Sequence, residues 1–231
     1  HGEVSISEIE ENIDEKTCLV AVSHVSFVNG YRHNLKKLKE LTNSKNIPLL
    51  VDATQSLGVV EVDSKYCDML VSSSYKWLLG PHGLGLMYIS EEYLDKLQPK
   101  RVGWRSVQSI FHDDRFNDYS FNEDATKFEL GFNNYPAIYV LKRSTDFLLK
   151  LGVKNIEERV LRLGGELIDK LENQGWEVLT PKEEEKRAGN ISVVSPNGEE
   201  IMKYLMSKDV MIWGGDGRLR FSVNFYNTES E

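Results

Sequence analysis

The sequence holds only two cysteines, Cys18 and Cys67, among 231 residues. Two thiols support neither a disulfide framework nor a cysteine-built zinc site, and no metal is expected. A reducing, cytoplasmic compartment is the default for such sparse cysteine use. No apolar run approaches the ~20 residues that cross a bilayer. No apolar stretch follows a basic start of the kind that directs export. Positive charge is also scarce, with 28 Lys and Arg against 36 Asp and Glu for a net charge of −8. Nucleic-acid and membrane-surface binders need a basic footprint, so neither kind of partner is expected. Internal repeats and low-complexity tracts are missing as well. What remains is an ordinary globular composition, 40% hydrophobic and 28% charged, long enough to bury a real core.

The pattern of apolar residues predicts an α/β chain. An acidic helix-like stretch from Ile6 to Glu15 leads into a buried strand over Leu19–Val25. Asn34 caps a helix through Lys45, with Leu35, Leu38 and Leu41 on one face. Pro48 stops it, and a second buried strand, Leu49 to Val51, ends at Asp52. Further strands are expected at Asp68–Ser73 and Gly83–Ile89. Strands alternating with a helix and short loops indicate a mostly parallel sheet, whose ligands sit beyond the strands' carboxyl ends. Residues 98–126 show no periodicity and read as an ordered loop. Helices follow at Tyr135–Leu151 and Asn155–Asn173, the latter closed by Gly175. The tail reads as strand Trp176–Leu179, a solvated charged turn Glu183–Arg187, strand Ile191–Val194, helix Glu199–Ser207, and paired strands Val210–Trp213 and Leu219–Val223. A boundary near Gly152 divides a large domain (1–152) from a smaller α/β domain (153–231).

Two charged residues stand where chemistry is expected. Asp52 closes an apolar strand, where a carboxylate is costly unless donors or a cation meet it; capping the next turn is the plainer role. Lys76 sits between Tyr75 and Trp77 directly after a buried strand. A partly desolvated amine has a lowered pKa and attacks carbonyls; an ordinary surface lysine is the alternative. Serines 72–74 ahead of it suit phosphate oxygens, and Gly80, Gly83 and Gly85 behind it allow a tight backbone path. Together the pair matches what pyridoxal phosphate requires. A lysine holds its aldehyde as an imine, and an acid keeps its ring nitrogen protonated so that the ring draws off electrons.

At these residues the sequence resembles the class V aminotransferases of the fold-type I pyridoxal-phosphate superfamily, which includes cysteine desulfurases, selenocysteine lyases and isopenicillin N epimerases. The resemblance runs in order through residues 22–30 (VSHVSFVNG), 51–58 (VDATQSLG), 73–85 (SSYKWLLGPHGLG), 127–131 (KFELG) and 218–228 (RLRFSVNFYNT). It implies that Lys76 forms the imine, Asp52 faces the ring nitrogen and Gln55 donates to the ring's phenolic oxygen. It further implies that Ser73 binds phosphate, with Tyr75 in the place of a phosphate-binding His, and that Arg220 holds the substrate α-carboxylate. His24 is kept as a candidate cofactor contact beside the plainer reading of a packed strand residue. Trp104 and Arg105 are candidates for the substrate entrance.

The departures narrow what is expected. Phe27 replaces a ring-contacting Asn, and Gly131-Phe132 replaces the Gly-Thr that reaches a neighbouring subunit's phosphate. No cysteine occurs from Met211 to Arg220, where a sulfur acceptor is expected. Cys18 and Cys67 read as small buried residues. The family's N-terminal part and last helix have no counterpart, so the sequence reads as the central and C-terminal portion of a longer enzyme. The expected function is a pyridoxal-phosphate enzyme acting on the amino group or at Cα or Cβ of an amino acid. A class V aminotransferase is the leading expectation. A carbon–sulfur lyase without a cysteine relay is the alternative, and a non-catalytic relic of the fold is the further one. The resemblance also implies a homodimer.

Overall fold

The computed structural model describes residues 2–111 and 113–231. Four strands form one sheet: β1 (Val20–Ser23), β2 (Leu49–Asp52), β3 (Met69–Ser73) and β4 (Gly85–Ile89), in the order β1-β2-β3-β4. β1, β2 and β3 run parallel, and β4 returns antiparallel beside β3. Helices α1 (Ile6–Glu11) and α2 (Leu35–Ser44) flank this sheet, and α3 (Glu91–Lys96) follows β4. Two long helices come next, α4 (Tyr135–Leu151) and α5 (Val153–Asn173), separated by Gly152. A second, three-stranded antiparallel sheet holds β5 (Asn190–Val194), β6 (Trp213–Gly215) and β7 (Arg218–Ser222) in the order β5-β7-β6, with α6 (Gly198–Met206) between β5 and β6. No helix among the described residues is long and apolar enough to cross a membrane.

Register fixes which side chains share a face. Val22 lies beside Val51, and Val51 beside Leu70; Ser23 lies beside Asp52, and Asp52 beside Val71. Side chains alternate along a strand, so Val20, Val22, Leu49, Val51 and Leu70 form one face and Asp52 and Ser73 belong to the other. The first face packs with Leu35 and Leu38 of α2 into a buried cluster. β1 is therefore half-buried: Val20 is covered, but Ala21 and Ser23 on the other face are exposed. A second cluster joins both sides of Gly152, with Val25, Trp77 and Leu78 meeting Leu141, Leu148, Ile156, Val160 and Ala188. Gly58 permits this packing. Its φ is +100°, and a Cβ there would stand 2.7 Å from the Trp77 carbonyl oxygen.

Several expected elements are shorter or shifted. The first helix stops at Glu11, because the Asn12 side chain and backbone N–H both turn back to helix carbonyls. Residues 176–179 form no strand, only a bridge from Val178 to Val193, since the Trp176 N–H is taken by Leu171 of α5. The strand expected from Val210 begins at Trp213, since the Val210 N–H closes the end of α6 on Leu205. The turn Glu183–Arg187 is not wholly solvated: the Arg187 side chain is only 2% exposed. Cys18 is exposed, unlike the buried Cys67, because it precedes β1 and lies outside the packed face.

Candidate active site

β2 and β3 are parallel neighbours, so their carboxyl ends open at one edge of the sheet, where crossover loops leave room for a ligand. Asp52 is the last residue of β2 and Ser73 the last of β3, on the same face. The loops beyond them are stitched together: the Ser73 N–H donates to Thr54 Oγ1 at 3.0 Å, and the Thr54 N–H donates to Asp52 Oδ1 at 2.9 Å. That leaves Asp52 Oδ2 without a partner among the described residues.

Lys76 is part-buried three residues beyond β3, and its amine makes no hydrogen bond or ion pair among the described residues. Burial lowers its pKa below the usual lysine range. The positive charge of Arg220 lowers it further, and the Asp52 carboxylate partly opposes both. Two residues distant in sequence from Lys76 thus bear on its charge. Arg220 comes from β7 of the second sheet, and its Nη1 donates to the Phe27 carbonyl at 3.1 Å. Its Nε is buried with no partner, and burial together with neighbouring Arg218 lowers its pKa. Gln55 is anchored by its oxygen, which accepts from Trp77 Nε1 at 3.0 Å and from Asn190 Nδ2 at 3.2 Å. Tyr75 is 43% exposed and stacks on His82 with ring centroids 4.2 Å apart.

Lys76, Asp52 and Arg220 are therefore brought together, with Gln55, Ser73 and Tyr75 on the loops and strand end that carry the first two. His24 is not brought to them. By alternation its ring falls on the α2 face, opposite Asp52, where it is 3% exposed and lines a cavity of about 900 Å³ with Arg32, His33 and Glu157. Trp104 lies apart too, lining a small depression with Val107, Ile110 and Phe116. Residue-by-residue reading missed Thr54, Asn190 and the Phe27 carbonyl. Thr54 sits inside the motif that carries Asp52 and Gln55, a signal that was available; nothing in the sequence points from Asn190 to a site 135 residues away.

The aminotransferase class-V family model matches residues 1–231. The chain belongs to that family. This class-V chain is 27% identical over 232 residues to the uncharacterized aminotransferase YcbU of Bacillus subtilis (strain 168), covering 100% of the chain and 61% of the relative. It superposes on the apo cysteine desulfurase of Thermococcus onnurineus NA1 with a TM-score of 0.89 at 26% identity, covering 98% of the chain and 60% of that one. A mutant of C-DES with glycine covalently linked to its PLP cofactor gives a TM-score of 0.84 at 21% identity, covering 95% of this chain and 59% of that one. At that identity the likeness is one of fold. The class-V chain thus spans about 60% of the length of these relatives.

Proposed function

We propose that this protein is a pyridoxal-phosphate enzyme that acts on the amino group or at Cα or Cβ of an amino acid, with transamination as its reaction. One observation carries the reading: a part-buried lysine amine with no partner, its pKa lowered, whose charge feels both an acid with a free oxygen and a half-buried arginine. These unspent groups fit the cofactor's needs, which are an amine for an aldehyde, an anion for a ring nitrogen and donors for a phosphate. Pyridoxal phosphate, when bound, supplies an aldehyde for amines and a ring that accepts electron density. Lys76 would hold that aldehyde through Nζ, and its free amine would move a proton at the substrate Cα as general base and acid. Asp52 keeps a proton on the ring nitrogen by its negative charge. Gln55, fixed through its oxygen, would have its amide N–H groups left to donate to a ring oxygen. Ser73 and Tyr75 donate to phosphate, and Arg220 takes the α-carboxylate as a bidentate donor.

A carbon–sulfur lyase is the second reading, and the position of the thiols limits its form. Cys18 and Cys67 both lie at the amino ends of strands, whereas Lys76 and Asp52 lie beyond the carboxyl ends. About 10 Å of strand or more separates them. Cys67 is also buried, with its thiol pushed up to about 11, and is a poor nucleophile. Neither thiol is placed to accept sulfur. The reading also includes a cytoplasmic location and a homodimer, whose contact uses the segment around Phe132, 75% exposed.

The test is to add pyridoxal phosphate, record the visible band, reduce with borohydride and locate the label by mass spectrometry. Label on Lys76 is expected. Incubation with amino acids then separates the reactions: a 2-oxo acid with retained amino group marks transamination, and released sulfide or ammonia marks a lyase. Label spread over surface lysines, with no visible band, overturns the proposal.

A further inference from the structure

Trp213 stands directly opposite Arg220 in the register of β6 and β7. Its ring lies 5.4 Å from the Arg220 guanidinium carbon and 4.7 Å from that of Arg218. Arg218 and Arg220 are two residues apart on β7 and so share a face, where like charges repel. The indole meets both cations. The ring is laid down there by its own strand: a Cβ at Gly215 would stand 3.0 Å from Trp213 Cζ2 and 3.2 Å from Cη2, so the indole rests on a residue without a side chain. Arg218 is further held by Asp216 at 3.4 Å. Arg220 has no carboxylate partner among the described residues, only the Phe27 carbonyl at its Nη1 edge.

We propose that Trp213 is a positioning residue that holds the Arg220 guanidinium ready for the substrate α-carboxylate, an inference that rests on the reading of Arg220 given above. An arginine side chain has wide rotamer freedom. Fixing it before the ligand arrives removes an ordering cost from binding. The Phe27 carbonyl fixes one edge of the group and the indole fixes its face, while Nε is buried, which leaves Nη2 and the second Nη1 hydrogen for a carboxylate. The segment Trp213-Gly214-Gly215-Asp216-Gly217-Arg218-Leu219-Arg220 thereby acts as one device.

The experiment compares amines with and without a carboxylate in the holoenzyme. The visible spectrum is titrated with L-alanine against ethylamine, and with L-cysteine against cysteamine. Trp213→Leu is expected to weaken the amino acids about fivefold and to leave the plain amines unchanged. Trp213→Phe restores most of the loss. Gly215→Ala, which keeps the indole but displaces it, falls between. Equal weakening of both ligand types, or of neither, overturns the role of Trp213. Arg220→Gln tells the two levels apart. If it also spares the amino acids, the carboxylate reading of Arg220 fails and this inference with it. If it weakens only the amino acids while Trp213→Leu and Gly215→Ala do not, the positioning role alone is lost.

Discussion

The indole nitrogen of Trp77 donates to Oε1 of Gln55 at 3.0 Å. Trp77 is 6% exposed and belongs to the cluster that packs the loops after the first sheet's strands against α4 and α5. The core therefore sets the orientation of a side chain at the candidate site. The same Gln55 oxygen accepts from Asn190 of β5, so one amide is held both from the loop after β3 and from the second sheet.

Trp77→Phe keeps an aromatic ring in the core but removes the donor and leaves a void. A loss of about 2 kcal/mol of stability is expected from these two effects. Affinity for pyridoxal phosphate should fall as well, since Gln55 is then held only by Asn190. Urea unfolding and cofactor titration check the two effects separately; unchanged cofactor affinity would separate Gln55 from the ring.

Lys76 and Asp52 should fail differently. Lys76→Ala removes the amine that takes the aldehyde, so the visible band of lysine-bound cofactor and the turnover both disappear, while weaker binding through Ser73 and its neighbours persists. Asp52→Ala leaves the amine, so the band remains, but the ring nitrogen loses the charge that keeps it protonated. Turnover should then slow by about a hundredfold or more. Absorbance and single-turnover kinetics distinguish the two, and near-normal turnover in Asp52→Ala rules out its assigned role.

His24 predicts an acid-sensitive fold. Burial, with Arg32 and His33 nearby, lowers its pKa from 6.5 to about 3. The unfolded imidazole takes up a proton below 6.5 that the folded one refuses until near 3. Its contribution to stability is therefore complete above pH 6.5 and is lost as pH falls toward 3. The slope from this one group is at most about 1.4 kcal/mol per pH unit. His24→Gln, which cannot titrate, should flatten the decline in urea midpoint between pH 7 and pH 5.

Arg187, just before β5, is a buried cation. Its Nη2 donates to the Leu161 carbonyl of α5 at 2.9 Å and its Nε to the Lys182 carbonyl at 3.3 Å. Arg187→Ala leaves a void and removes two hydrogen bonds to carbonyls, and a loss of about 3 kcal/mol is expected. Glu184→Gln should change stability little, because Glu184 stands in water at 3.5 Å from the guanidinium. Denaturant midpoints of the two variants give the comparison.

Much of this protein was legible from local chemistry. The run Leu49 to Asp52, the cap at Asn34 and the leucines of α2 specify their elements through short-range pattern and capping, which need no partner. The motifs around Asp52 and Lys76 lie beyond the carboxyl ends of neighbouring parallel strands and so share one edge of the sheet. Tertiary structure decided the rest. Arg187 lies in a run of charges that looks solvated, and only the approach of α5 takes it out of water. His24 reads as well toward either face, and register with Val22 and Val51 assigns it to the α2 side. Arg220 bears on the charge of Lys76 across 144 residues because β7 brings it to the loop after β1, where it meets the Phe27 carbonyl. Sequence pattern encodes which face of an element is apolar; which distant charge that element will meet is fixed only when the elements pack.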